Sequence, residues 1–234
     1  MTCLGIKTLK YLQVNIVPSS GDHELGSSKL QISNIVNYGW DFQYCHGQLV
    51  AVHKSGTYFA YGLVSPGKST GMVRVVQKKT DQRVLVKGMK GKVKDLAFAH
   101  CTEEIILGIV DEFGNLFVTR IETTHEEDSD NDKPLQTELV LQINAEHPKD
   151  SETHRIFWCP FLPEEGDAED SSKLLLLTHG SVGEIWNIDL ILANKELGNV
   201  IGVNDVTEGK MIVSSLTVRN FSSPKIKLKY SILT

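Results

Sequence analysis

The sequence has few cysteines, and they are not arranged to bind metal. Cys3, Cys45, Cys101 and Cys159 are scattered, and none of them forms a C-x-x-C pair. This spacing disfavours a zinc knuckle. Free, buried thiols are typical of a protein that works in a reducing compartment, which is the compartment we predict.

Long apolar runs are also missing. No window approaches the ~20 consecutive apolar residues that a membrane helix needs. At the start of the chain, Lys7, Lys10 and Gln13 interrupt the apolar residues before a secretory signal can form. We therefore expect a soluble cytosolic or nuclear protein without a membrane partner.

A basic excess is absent as well. The 234 residues carry a formal net charge of −5, whereas a general nucleic-acid binder normally has a strong positive excess. We expect no direct sequence-specific contact with nucleic acid.

Short strands dominate what is present. Nearly every apolar segment alternates with period two or forms a short β-branched run, with Gly, Asp and Asn in between, which predicts an all-β fold. One short helix is predicted over Leu190–Glu196, with Asp189 as its N-cap. The predicted strands are Leu12–Val17, Lys29–Ile35, Gln48–Val52, Thr57–Val64, Met72–Gln77, Arg83–Lys87, Val93–Ala99, Ile105–Asp111, Asn115–Ile121, Leu139–Ile143, Arg155–Trp158, Leu174–Thr178, Gly183–Ile188 and Met211–Val218.

One hairpin plan occurs twice. Val110–Val118 and Thr178–Ile188 each join an apolar run to an alternating strand through polar residues and a Gly. Such hairpins are typical of the blades of a β-propeller, a fold that mostly binds rather than catalyses. The strands group into three blade-like sets, over Val50–Gln77, Val86–Ile121 and Arg155–Ile188.

Two acidic stretches separate these sets. His125–Lys133 and Pro163–Ser172 are too polar to pack, so we predict solvated loops near 122–134 and 163–172. Neither stretch has the ligand spacing of a calcium loop. Ser129, Ser171 and Ser172 are candidates for phosphorylation by an acid-directed kinase.

Gly62–Ser69 satisfies the phosphate-loop pattern G-x-x-x-x-G-K-[ST]. A phosphate loop requires a helix that begins at Lys68 and Ser69, but the β-branched run after Gly71 favours a strand. We therefore interpret Ser65–Gly71 as a hairpin loop. A nucleotide hydrolase that uses Lys68 and Ser69 is the alternative from another functional class.

The aromatic residues favour packing roles. We predict that Trp158 and Trp186 pack between blades, in the first and third strands of one blade. Trp40 belongs to an aromatic cluster, Tyr38–Tyr44, which is either packed or a patch for a partner.

Several strings resemble a known family. Phe98-Ala99-His100, Asp111–Val118 and Trp158–Glu165 occur in that order, and with the preceding strands they resemble the amino-terminal WD-repeat domain of the enhancer of mRNA-decapping protein 4 family (Ge-1/Hedls). The resemblance covers roughly residues 1–213.

The resemblance implies a non-catalytic scaffold that has no metal or other cofactor. Its implied partners are the catalytic subunit of the decapping enzyme and decapping activators, in cytoplasmic processing bodies, with self-association of the full-length form. A generic WD-repeat module of another complex remains open. Structural roles in the blades are expected for Asp95, His100, Asp111, Gly114, Trp158, Gly183 and Trp186.

The predicted fold is an all-β, WD-repeat-type β-propeller that is incomplete, with about three to four blades against the ~4–8 of closed rings. We assign it to 1–213. Residues 214–234 depart from the family pattern and form a basic tail, from which we hypothesise an alternative or truncated product.

Overall fold

A computed structural model describes residues 11–16, 30–40, 47–101, 103–122, 134–145, 153–159, 173–180, 182–194, 198–206 and 209–214. The chain divides into two compact units, Met1–Tyr44 and Cys45–Thr234. Both acidic stretches, the three candidate phosphorylation sites and residues 215–234 lie outside the described residues, so the predictions made for them stay predictions.

The first unit contains one antiparallel hairpin. Strand β1 (Tyr11–Ile16) pairs with β2 (Leu30–Val36) in a two-stranded sheet. Beyond β2, the rings of Tyr38 and Trp40 meet edge to face, with their centroids 4.9 Å apart. This contact shows that part of the predicted aromatic cluster packs against itself.

The second unit begins with a four-stranded meander, which we call sheet A. Its strands are β3 (Val50–Val52), β4 (Tyr58–Val64), β5 (Gly71–Gln77) and β6 (Arg83–Val86), and each is antiparallel to the next. Val86 pairs with Val73 of β5. The prediction that Val86 opens the second set is therefore wrong, since register with β5 holds it in sheet A.

Sheet B follows, with β7 (Val93–Phe98), β8 (Ile105–Asp111), β9 (Leu116–Glu122) and β10 (Gln136–Asn144) in antiparallel order. Sheet C contains β11 (His154–Trp158), β12 (Leu174–His179), β13 (Val182–Asn187) and β15 (Lys210–Ser214). Both repeated hairpins, β8–β9 and β12–β13, occupy the same place in their sheets, as the sequence predicts.

The chain leaves sheet C between its third and fourth strands. Helix α1 (Ile188–Ala193) follows β13 directly, and then β14 (Val200–Gly202) pairs in parallel with β10, which makes it a fifth strand on sheet B. A 3-10 turn over Val203–Asp205 precedes β15. One segment thus links sheets B and C.

Helix α1 starts earlier than predicted. Asn187, not Asp189, is the N-cap, and its side-chain oxygen accepts a hydrogen bond of 3.0 Å from the Leu190 N–H. Asp189 lies in the first turn, where its negative charge interacts favourably with the helix dipole. The prediction misplaced the start because Asn187 both ends β13 and caps the helix.

Two apolar cores lie on the two faces of sheet B. One joins sheet B to sheet C and includes Trp158, Leu175 and Trp186, and the other joins sheet B to sheet A and includes Val73, Leu96 and Leu107. Because both faces of sheet B are covered, the strand Ile105–Asp111 is almost continuously apolar and buried. This stacking of neighbouring sheets, each built on four antiparallel strands and with β14 added to sheet B, is the arrangement of propeller blades.

Candidate functional site

The first strands of the three sheets lie side by side and are joined by one carboxylate. Asp95, in the middle of β7, is only 4% exposed. Its Oδ1 accepts hydrogen bonds from the backbone N–H of Gln48, at 2.6 Å, and of Leu96, at 3.1 Å. Its Oδ2 accepts one from the backbone N–H of Ile156 in sheet C, at 2.9 Å. A single side chain therefore ties all three sheets together.

The surroundings of Asp95 set its protonation behaviour. Burial raises the pKa of the Asp95 carboxyl, and the three backbone donors and the positive charge of Arg155 offset only part of that effect. Gly47 is required beside it, since a Cβ at that position would collide with the Asp95 carboxyl carbon and with an Arg155 guanidinium nitrogen. The group is held in place and its acceptor positions are largely used.

A cavity of about 440 Å³ opens beside this network. Its polar lining comes from Gln48, Asp95, His100 and Arg155, and its apolar lining from Ala97, Phe98, Ile156, Phe157 and Trp158. The indole N–H of Trp158 donates to the Ala97 carbonyl at 3.0 Å, which fixes one wall. The cavity is thus built from β7, β11 and their flanks, with mixed charged and aromatic walls.

Asp111 organises the β8–β9 turn. It is fully buried and accepts hydrogen bonds from the backbone N–H groups of Phe113 and Asn115, both at its Oδ1. Its Oδ2 lies 3.3 Å from the backbone nitrogens of Lys90 and Gly91, which precede β7. Asp111 therefore connects the hairpin to the start of its own sheet.

Sheet C uses histidines at the equivalent place. His179, at the end of β12, pairs with His154, the first residue of β11, with 2.7 Å between their Nδ1 atoms. The Nε2 atom of His179 lies 3.8 Å from Oε2 of Glu184, which accepts a hydrogen bond from the Trp186 indole at 3.1 Å. Burial alone would raise the pKa of Glu184, but His179, Lys210 and Trp186 together lower it.

Sheets A and B are also joined by a buried imidazole. His53, directly after β3, is 1% exposed, and its Nε2 lies 2.9 Å from the Cys101 carbonyl oxygen. The Ser55 N–H donates to its Nδ1 at 3.3 Å. This network assigns the proton to Nε2 in the neutral ring. Burial lowers the pKa of His53, and the positive charge of Lys54 lowers it further. The hydrogen bond to the Cys101 carbonyl raises the pKa but does not offset the burial.

The sequence-predicted residues thus separate into several places. Asp95 and Trp158 line the cavity, whereas Asp111 and Gly114 form the β8–β9 turn, and Trp186 is buried in the core between sheets B and C. Gly183 lies in β13, opposite Thr178 of β12. His100, for which a structural role in a blade is predicted, is exposed at the cavity rim.

Sequence reasoning missed Gln48, His53, His154 and Arg155. Gln48 acts through its backbone, which carries no side-chain signal. The two histidines each require a partner about 25 to 48 positions away, as the pairs His154–His179 and His53–Cys101 show. A histidine at the end of an alternating strand is a weak sequence signal for a buried imidazole. Such a signal does not identify the distant group that the imidazole contacts.

The structure contradicts the phosphate-loop alternative. Gly62 lies in β4 and Gly71 begins β5, and the two strands pair antiparallel across the Ser65–Thr70 turn. A strand therefore follows Ser69 where the nucleotide site requires a helix. The predicted hairpin loop is confirmed.

Metal-binding clusters and membrane-spanning helices are two other features that bear on the function of the described residues. Within the described ranges, no group of three or more His, Cys, Asp or Glu side chains is placed to hold a metal ion. In the same part of the chain, no helix is both long and apolar enough to cross a bilayer.

Comparison with known proteins decides the family. Residues 26–224 match the family model described as the WD40 region of Ge1, enhancer of mRNA-decapping protein. The chain belongs to the Ge1 WD40 family. This match extends past residue 213, where the predicted domain ends.

Relatives of the Ge1 family come from several animals. The chain is 34% identical over 219 residues to human enhancer of mRNA-decapping protein 4, a match that covers 91% of this chain and 15% of that protein. Identity to the Drosophila melanogaster homolog is 32% over 207 residues, covering 83% of this chain and 14% of that one. The chain therefore spans about 15% of the length of the human relative.

A solved structure is also similar. Chaetomium thermophilum Sqt1, bound to the N-terminus of ribosomal protein L10, aligns with a TM-score of 0.45 and 13% identity, covering 70% of this chain and 36% of that one. The Ge1 match and the three stacked sheets identify the fold as a WD-repeat-type propeller, incomplete in the part described.

Proposed function

We propose that this chain is a non-catalytic protein-interaction module that promotes mRNA decapping. The observation that carries the proposal is the Ge1 WD40 match over residues 26–224, since relatives in this family are named enhancers of decapping. The geometry is compatible with such a role, because the buried carboxylates Asp95 and Asp111 accept backbone hydrogen bonds that join strands. Groups used in this way stabilise a platform rather than move protons.

The proposed partners are the catalytic subunit of the decapping enzyme and its activators, in cytoplasmic processing bodies. The names of the relatives support the decapping role, and the family resemblance supports the scaffold. Self-association of a longer form belongs to the same proposal. Because the match covers 15% of the human relative, we propose the complete activity of such proteins for a longer form and not for this chain alone.

A binding experiment with purified components tests this function. The full chain, immobilised through a tag, is incubated with the recombinant catalytic subunit and with a decapping activator, and an unrelated propeller on the same resin serves as the control. We expect retention of at least one decapping factor above the control. Decapping of capped RNA by the enzyme should rise when the chain is present, and the chain alone should release no cap.

A negative result in both assays would contradict the decapping role. If neither factor is retained above the control propeller and decapping is unchanged, the decapping role is wrong. A generic WD-repeat module of another complex then becomes the better description.

A further inference from the structure

The cavity beside Asp95 presents an exposed aromatic side chain. Phe157 of β11 is 54% exposed although its neighbours Ile156 and Trp158 are buried. Phe98, from β7, and Trp158 form further aromatic parts of the lining. Exposed aromatic rings at a concave surface are typical anchors in protein interfaces, since their burial removes a large apolar area from water.

The charged group that a ligand can reach in this cavity is the Arg155 guanidinium. Asp95 lines the cavity too, but this residue is only 4% exposed, and its carboxylate already accepts three backbone hydrogen bonds and lies in the field of Arg155. Arg155 is half-buried and His100 is exposed, and both line the same cavity. A guanidinium pairs with a carboxylate through two parallel hydrogen bonds, which gives direction as well as attraction.

The size of the cavity limits its occupant. About 440 Å³ is enough for one or two side chains of a peptide. The edge of β7 beside the cavity is already paired, since the Gly47 N–H donates to the Lys94 carbonyl and the Leu96 N–H donates to the Gln48 carbonyl. An occupant of the cavity therefore binds through its side chains.

We infer that this cavity binds an acidic–apolar peptide segment of a partner protein. An apolar side chain of the peptide packs on Phe157, and an adjacent aspartate or glutamate pairs with Arg155. This inference rests on the proposed function in one respect, namely that the partner of this chain is a protein. A basic peptide and a second copy of this chain are the occupants that the test must separate from it.

Peptide display on the intact chain supplies the probe. The full chain is used to select random 12-residue peptides, and the enriched consensus is synthesised with a fluorescent label for anisotropy titration. We expect enrichment of an apolar residue within two positions of Asp or Glu. Enrichment of basic peptides, or no enrichment, would overturn the inference.

Variants of the cavity test its two contacts separately. Phe157→Ala and Arg155→Gln should each weaken binding of the consensus peptide about tenfold or more. The controls Val52→Ala and Arg83→Gln change an exposed apolar residue and an exposed arginine in sheet A, and they should bind as the wild type does. Equal affinity of all four variants would contradict the assignment.

A charge exchange adds a gain of binding to the test, which loss of folding would not produce. Arg155→Glu should lose the acidic peptide and gain at least tenfold in affinity for the same peptide with Lys at the acidic position. No such exchange, at unchanged melting temperature, removes Arg155 from the site. If sedimentation shows instead that the chain dimerises and that Phe157→Ala abolishes the dimer, the occupant is a second copy.

The two proposals can fail separately. If peptide binding follows these variants but no decapping factor is retained on the resin, the cavity stands and the decapping role falls. If decapping factors are retained equally by wild type and Arg155→Gln, and no peptide is enriched, the decapping role stands and the cavity assignment falls.

Discussion

Individual buried polar residues cross-link the sheets of this fold. Asp95 joins three first strands, Asp111 joins a turn to the start of its sheet, and His53 joins sheets A and B. Each of them forms hydrogen bonds with backbone groups that would otherwise be buried without a partner. Leaving one such group unsatisfied would lower the unfolding free energy by about 1–3 kcal/mol. The specificity of the blade arrangement therefore depends on a few side chains as well as on apolar area.

His53 makes the stability of the protein depend on pH. Its pKa in the folded state is below the 6.5 of an unperturbed histidine, so its contribution is complete above pH 6.5. That contribution is lost as the pH falls through the folded pKa, because the unfolded chain binds a proton that the native chain does not. Between pH 7.5 and 5.5, His53→Gln should lose less unfolding free energy than the wild type does, because the variant has no imidazole to protonate.

Urea denaturation at both pH values measures this difference. His100→Gln is the matched control, since it removes an exposed imidazole from the cavity rim. We expect the control to follow the wild-type profile. A His53→Gln profile parallel to the wild type would show that His53 is not the titrating group.

At the scale of single elements, the hairpin turns are fitted to the neighbouring sheet. Gly114, in the β8–β9 turn, has a φ of +82°, and a Cβ there would lie 3.1 Å from Cε1 of His179 and 3.3 Å from Cε1 of His154. The left-handed backbone and the contact with sheet C therefore both favour glycine at this position.

Substitution of two glycines separates these two causes. Gly56 has a φ of +70° with open space around its Cβ position, so Gly56→Ala should cost about 1 kcal/mol from the backbone alone. Gly114→Ala should cost about 1 kcal/mol more, because the buried histidine pair must also move. Thermal and urea unfolding of both variants provides the comparison, and equal losses would show that the contact with the histidines is unimportant.

Strand β14 offers a second paired comparison. Ile201 is 2% exposed and belongs to the core shared by sheets B and C, whereas its neighbour Val200 is 55% exposed. Ile201→Ala should reduce the unfolding free energy by about 2–4 kcal/mol, and Val200→Ala by less than about 0.5 kcal/mol. A similar loss from both would mean that β14 is not packed as an integral strand.

Much of this local structure could be predicted from the sequence, and the exceptions have physical causes. Period-two patterns and turn glycines located the hairpins β8–β9 and β12–β13. The parallel pairing of β14 escaped prediction because it joins Val200 to Gln142 through a crossover, without a local signal. The same is true of Val86, whose place in sheet A depends on register with Val73.

Across the whole molecule, sheet B is the centre of the second unit. Its two faces carry the two apolar cores, and Asp95 extends the connection through hydrogen bonds to Gln48 and Ile156. We expect the three sheets to unfold as one cooperative unit.

Asp95→Asn tests this cooperativity. The amide has one acceptor oxygen in place of two, so at least one backbone N–H loses its partner and the unfolding free energy should fall by about 2–3 kcal/mol. Asp81→Asn is the control, since Asp81 is exposed, has a φ of 54° that Asn tolerates, and makes a surface ion pair with Arg83. Its effect should stay below about 0.5 kcal/mol.

The measurement compares two probes of each urea transition. Far-ultraviolet circular dichroism reports all three sheets, and tryptophan fluorescence in a Trp40→Phe background reports Trp158 and Trp186 between sheets B and C. We expect the two transitions to coincide in the wild type and in both variants. Separate transitions would show that the sheets unfold independently.

The candidate site was less predictable than the fold. Asp95 and Trp158 are among the residues for which the family resemblance implies a structural role, so their importance could be expected. Arg155 and Phe157 gain their place in the cavity only because β11 lies beside β7, a contact across some 60 residues of sequence such as that from Asp95 to Ile156. A single sequence without structure carries no signal for a cavity formed by such distant strands.

The path of the chain through α1 and β14 has a consequence for synthesis on the ribosome. The outer edge of sheet B, strand β10, ends at Asn144, but its parallel neighbour is Val200–Gly202. This edge of sheet B stays uncovered until the first three strands of sheet C and helix α1 have been translated. An exposed strand edge is open to pairing with other chains. Between translation of β10 and β14, a nascent chain of this protein therefore presents an unpaired strand edge that later pairing with β14 removes.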